Sequence, residues 1–169
     1  MFMNLEKMYI TVYEKPLAVK LLRLFCHVCE ALFAIAFLFS LYLARIVSIK
    51  VAISLLFLSL ASFLLLSVAR RLINAPRPAD VFPHLSFLKT DKMSASFPSR
   101  HVFSAALISV IMLINSNILG ISFIILSLLL AFARVLLGRH FPRDVIAGWL
   151  IGAFAGTVVF YLSYNVFMV

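Results

Sequence analysis

The 169-residue chain is 64% hydrophobic and 12% charged, with a mean hydropathy of +1.13. An ordinary globular domain is about 45–50% apolar and about 25% charged, so a water-soluble fold and a disordered chain are both excluded. The formal net charge of +9 admits nucleic acid, anionic lipid head groups or a phosphorylated substrate as partners, and position along the chain decides among them.

Residues 1–23 mix Lys7, Lys15, Lys20 and Arg23 with Phe2, Tyr9, Tyr13 and Pro16. Too short in its apolar part and too charged for a cleavable signal peptide, this stretch reads as an amphipathic segment lying on the membrane surface. Leu24 to Ala44 forms a first span, broken only by His27 and Glu30 near its start. Glu30 is the only acid inside a span; such an acid is a functional candidate, and near a span end it also suits a Lys or Arg partner. Cys26, His27 and Cys29 lack the second ligand pair of a structural zinc site and read as span-lining residues.

Val51 to Ala69 is a second span without a charge, about the length that a bilayer core demands. Val102 to Ala133 is long enough for two short spans, and Asn115-Ser116-Asn117 splits it, because three polar turn-formers are costly at bilayer depth and natural at a tight turn. Val145 to Val169 is the last span. The expected fold is an all-α, polytopic transmembrane helical bundle of about five spans plus an N-terminal interfacial helix, with six spans as the alternative. It divides into an interfacial segment, 1–23, and an integral-membrane domain, 24–169.

Nine of the 15 basic residues lie in two windows at span ends: Arg70, Arg71, Arg77, Lys89, Lys92 and Arg100, then Arg134, Arg139 and Arg143. Both windows follow even-numbered spans and share one face, so the charge belongs to one membrane-surface site and not to nucleic acid. The positive-inside rule would turn that face to the cytoplasm. These arginines read as recruited for chemistry, which leaves Arg45 and Lys50 as the inside signal and the site on the outer face.

Three motifs occupy that face. In Arg70-x6-Arg77-Pro78, a continuing helix would set two guanidiniums two turns apart on one side, suited to one anion because each planar fork donates paired hydrogen bonds and keeps its charge. A basic flank anchoring a span would explain Arg70 and Arg71, but not the prolines on either side of Arg77. Pro98-Ser99-Arg100-His101 opens the third span, where free N–H groups and the helix dipole form an anion site beside His101. In Arg134-x5-His140-x3-Asp144, the i, i+4 spacing would let the carboxylate hold one ring nitrogen and leave the other as nucleophile or base. The plainer reading is that Asp144 caps the last helix.

In this order, at span ends on one face, the three motifs resemble the signature of the type 2 phosphatidic acid phosphatase family, which also includes the soluble vanadium haloperoxidases. The resemblance covers roughly residues 50–165. It implies that His140 attacks phosphorus to form a phosphohistidine, Asp144 orients it, and His101 protonates the leaving oxygen and then activates water. Arg70, Arg77 and Arg134, with Ser99 and the backbone N–H of Arg100, would hold the phosphoryl oxygens, with no metal and no cofactor. The chain departs from the family in having Arg70 for Lys, Arg100 for Gly and Ala133 for Ser.

The expected function is therefore that of an integral-membrane lipid phosphatase of a bacterial cytoplasmic membrane, whose partners are bilayer lipids and a lipid phosphate. The charge around the cage favours a polyprenyl (undecaprenyl) diphosphate or phosphatidylglycerophosphate over phosphatidic acid. The alternative is a non-catalytic lipid-binding or transporter-associated protein, which would need neither His101, His140 nor Asp144. Gly148, Gly152 and Gly156 repeat along one face of the last span and predict close helix packing within the bundle.

Overall fold

The computed structural model describes residues 2–88 and 95–166. Among the described residues seven α-helices run in chain order: α1 (Phe2–Tyr13), α2 (Pro16–Val47), α3 (Ile49–Ile73), α4 (Pro78–Val81), α5 (Arg100–Asn115), α6 (Asn117–Leu136) and α7 (Pro142–Tyr161). A short 3-10 turn, Ser86–Leu88, follows α4, and a π turn, Leu162–Val166, follows α7. Among the described residues, the stretches Pro16–Val47, Ile49–Val81, Asn117–Leu136 and Pro142–Asn165 are long and apolar enough to cross a bilayer, and α5 is a shorter apolar helix. Their outer faces carry exposed Leu38, Phe57, Leu65, Phe132 and Phe154. An apolar belt of this kind needs lipid around it, and the chain is a multi-pass helical membrane bundle.

Local chemistry sets the helix ends. Pro16 stands in the first turn of α2, where its missing N–H costs nothing. The break between α1 and α2 therefore falls at Glu14 and Lys15, and the division expected between residues 23 and 24 lies inside a helix. The hydroxyl of Ser48 accepts the N–H of Lys50 at 3.2 Å and starts α3. Ser116 alone separates α5 from α6, as the Asn-Ser-Asn turn predicts.

Nine of the 16 residues of α5 are buried, which makes it the central helix. Gly148, Gly152 and Gly156 of α7 lie against the backbone of Ser99, Phe103 and Leu107 of α5. A methyl group at Gly148 would stand 2.6 Å from the Ser99 carbonyl oxygen, and one at Gly156 2.7 Å from that of Leu107. The small-residue stripe is thus a contact within the bundle, and it fixes where α5 and α7 begin relative to each other.

On the face where α5 and α7 begin, α1 packs over the loops. Tyr9 is fully buried with its ring edge-on to Phe82 at 6.0 Å, and Tyr13 stacks on Phe87 at 4.5 Å. The Tyr13 hydroxyl donates to the Leu137 carbonyl at 3.2 Å, and His84 pairs with Glu6 at 2.7 Å. Both Cys26 and Cys29 are buried free thiols on α2.

Candidate active site

Motif one is built by a break in the helix. Asn74 ends α3 in the left-handed conformation, φ 44°, and Arg77 caps α4. The two-turn helical face expected for Arg70 and Arg77 is therefore replaced by a bend. The physical reason is the Asn74 C-cap followed by Pro76 and Pro78, which restrict the chain to extended backbone. Arg70 is buried, and its guanidinium donates to the Pro98 carbonyl at 2.8 Å and to that of Ala95. It thereby fastens the segment leading into motif two. Arg77 is also buried, and its Nη1 reaches the Arg139 carbonyl at 3.4 Å.

The same short sequence pattern opens α4 and α7. In each, Pro stands in the first helical turn and Asp at the third position reaches back to the capping N–H: Arg77 N–H to Asp80 at 2.8 Å, and Phe141 N–H to Asp144 at 3.0 Å. Asp144 is therefore both a helix cap and a member of the site. His140 lies just before α7, outside the helix, so the pair is brought together by the cap bend and not by a shared helical face.

Ser96 stands between them. Its Oγ is 3.3 Å from His140 Nδ1 and donates to Asp144 Oδ2 at 2.5 Å, while Nδ1 itself is 3.8 Å from that oxygen. The Ser96 N–H is anchored on the Ala75 carbonyl at 2.8 Å, which ties it to motif one. Sequence reasoning missed Ser96; the only signal for it was a serine a few residues before a Pro-Ser-x-His run. With Nδ1 engaged in this network, Nε2 is the remaining ring nitrogen. His140 is 3% exposed, and burial lowers its pKa from the ordinary value, opposed by Asp144 and aided by the charges of Arg77 and Arg70. Behind the network, burial and the Asp144 charge push the Tyr9 hydroxyl up to about 12.

Ser99 caps α5 and is fully buried; its N–H donates to the Asp144 carbonyl at 2.9 Å, joining motifs two and three. Among the described residues, Ser99 Oγ and Arg134 Nε are buried without a hydrogen-bond partner. Buried donors in that condition suit an anion. Arg100 and His101 occupy the first turn of α5 and line a cavity of about 450 Å³ with Glu30, Phe33, Phe63 and Leu130. Arg134, in the last turn of α6, is hydrogen-bonded to Glu30. The Arg143 guanidinium lies 3.5 Å from Asp144 Oδ1. Lys89 and Lys92, expected beside the cage, lie outside the described residues. Also among the described residues, no three His, Cys, Asp or Glu side chains are grouped to hold a metal ion.

Known proteins share this architecture. The fold is similar to the crystal structure of Aquifex aeolicus LpxE, with a TM-score of 0.68 at 23% identity, covering 92% of this chain and 93% of that one. It is also similar to a transmembrane PAP2 type phosphatidylglycerolphosphate phosphatase from Bacillus subtilis, with a TM-score of 0.54 at 18% identity, covering 94% and 91%. In sequence, the chain is 36% identical over 69 residues to undecaprenyl-diphosphatase BcrC of Bacillus subtilis (strain 168), which is 41% of this chain and 36% of the relative. It is 32% identical over 108 residues to an undecaprenyl-diphosphatase of Sulfolobus acidocaldarius, which is 62% of this chain and 51% of the relative. The chain thus spans about a third to a half of the curated relatives it matches. A family model described as the PAP2 superfamily matches residues 52–168, a stretch that holds all three motifs, and the chain belongs to that superfamily.

Proposed function

We propose that the protein is an integral-membrane lipid phosphatase that hydrolyses the phosphate or diphosphate head group of a membrane lipid through a phosphohistidine. The observation that carries this reading is the buried His140–Ser96–Asp144 network, which engages Nδ1 and leaves Nε2 for attack. Nε2 forms a bond to phosphorus as the bond to the leaving oxygen breaks, and His101 gives that oxygen a proton. Water then attacks phosphorus, His101 takes the water proton, and the P–N bond breaks to release phosphate. Phosphoryl transfer asks chiefly for positioning and positive charge around the equatorial oxygens. Arg70, Arg77, Arg100, Arg134 and the unpartnered Ser99 hydroxyl supply them, without a metal in the reaction.

The substrate we favour is a polyprenyl diphosphate such as the undecaprenyl carrier. Two sequence relatives bear the name undecaprenyl-diphosphatase, and the surplus of arginines suits a doubly charged head group. Phosphatidylglycerophosphate is the second reading, favoured by the Bacillus subtilis phosphatase of the same fold. The site face is assigned to the outer side of a bacterial cytoplasmic membrane. The test is phosphate release by purified protein in mixed micelles containing undecaprenyl diphosphate, phosphatidylglycerophosphate or phosphatidic acid at equal mole fraction, with and without chelator. Fastest release from the diphosphate, insensitive to chelator and inhibited by vanadate, is expected. A preference for phosphatidic acid would overturn the substrate assignment, and an absolute need for a divalent ion would overturn the mechanism.

A further inference from the structure

Glu30 lies outside the stretch matched to the superfamily, on α2, yet it contacts the groups of the site that come from two other helices. Its Oε1 accepts a hydrogen bond from Arg134 of α6 and lies 3.6 Å from His101 Nε2 of α5; its Oε2 lies 3.6 Å from His27 Nδ1 one turn earlier on α2. Depth agrees with this convergence. Glu30 is 17 residues from the far end of α2 at Val47, and Arg134 is 17 residues from the far end of α6 at Asn117. At 1.5 Å per residue both stand about 26 Å from the opposite face, just inside the site-side edge of a core about 30 Å thick. A carboxylate at that depth is expensive unless it answers a charge.

The charge it answers is large. Around Glu30 and His101 stand Arg100 on α5, Arg134 on α6 and Arg139 after it, with His27, Cys26 and Cys29 on α2. Three guanidiniums would drive a nearby imidazole to give up its proton, and a carboxylate against the ring opposes them. We propose that Glu30 is a positioning residue for phosphoryl transfer: it holds Arg134 in place and keeps on His101 the proton that the leaving oxygen takes. The inference rests on the reading of His101 as the proton donor proposed above.

The test compares two leaving groups on the purified full chain in detergent: an alkyl lipid phosphate, whose alkoxide needs a proton, and p-nitrophenyl phosphate, whose leaving group does not. Glu30→Gln is expected to lower kcat about 100-fold on the alkyl phosphate and less than about threefold on the nitrophenyl ester. The alkaline limb of kcat on the alkyl phosphate is expected to move toward acid by about one pH unit, since the charge that retained the proton is gone. Glu30→Asp keeps the charge and is expected to recover about tenfold over Glu30→Gln. Equal losses on both esters with an unmoved alkaline limb would reduce Glu30 to a structural partner of Arg134, and parent-like activity on the alkyl phosphate would remove any role. His101→Ala serves as the reference: it must show the same split between the two esters, and equal losses there would overturn the reading of His101 and this proposal with it. Should Glu30→Gln fail to fold, Glu30→Asp losing more on the alkyl phosphate than on the nitrophenyl ester supports the proposal, and Glu30→Asp losing both esters equally overturns it.

Discussion

The two histidines of the site occupy opposite kinds of surroundings. His140 is 3% exposed in a loop at the start of α7, whereas His101 is 42% exposed on the wall of a cavity between spans. The first end is assembled by backbone: Arg70 on the carbonyls of residues 95 and 98, Ser96 on Ala75, and Ser99 on Asp144. The second end is assembled by side chains from α2, α5 and α6 meeting at Glu30. In the proposed mechanism the nucleophile must be held in place, and burial and packed loops suit His140 to that role. In the same mechanism the proton donor must meet the lipid substrate, and an apolar cavity edged by charge suits His101 to that role. The difference predicts that the nucleophile end responds to packing and the donor end to charge.

The largest effect should come from His140→Ala, with kcat lowered at least about 1000-fold and the protein still monodisperse in detergent, because no span is touched. Incorporation of labelled phosphate into the parent but not the variant would check the phosphohistidine directly. Gly148→Ala comes next. Its methyl group would meet the Ser99 carbonyl at 2.6 Å, so α7 must move away from α5 and carry His140 with it. A stability loss of about 1–3 kcal/mol and about 100-fold lower kcat on both alkyl and nitrophenyl esters are expected. Retention of full activity would mean that the helix contact does not set the site.

Ser96→Ala should lower kcat by about tenfold or more with KM little changed, since it removes the hydroxyl between His140 and Asp144 without altering charge. The pH response is gentler. Burial lowers the His140 pKa below the ordinary 6.5, so the neutral nucleophile persists as pH falls and the acid limb of kcat/KM should lie below 6.5. The unfolded chain takes up that proton first, so stability should also decline as pH drops through 6.5. An acid limb above that value would argue that His140 is charged at rest. Smallest of all, Tyr9→Phe removes a buried hydroxyl that has no hydrogen-bond partner among the described residues. Thermal stability in detergent should be unchanged or higher by up to about 1 kcal/mol.

The helices and the site were legible to different depths. Long uncharged runs marked the spans because a bilayer tolerates little else, and the Asn-Ser-Asn turn and the glycine stripe kept their meaning in the fold. Helix periodicity misled in two places. Arg70 and Arg77 are separated by a left-handed Asn74, and His140 stands outside α7. In both, proline and a capping aspartate bend the chain where spacing alone suggests a continuous face. Ser96 was not legible, since a serine in a polar loop has no sequence mark until the loop is folded onto Ala75.

By itself the sequence determined that this is a membrane helix bundle carrying three basic motifs on one face, two of them bearing a histidine. Hydropathy and short-range motif order are properties of the chain, and no partner is needed to read them. Tertiary structure alone decided that Glu30 meets Arg134 and His101, that Ser96 stands between His140 and Asp144, and that Tyr9 is buried against Phe82. Those contacts join residues that are 104, 71, 44 and 48 positions apart or more. Their partners are fixed by how far each helix extends and which face it turns to α5, and neither is encoded at the residue itself.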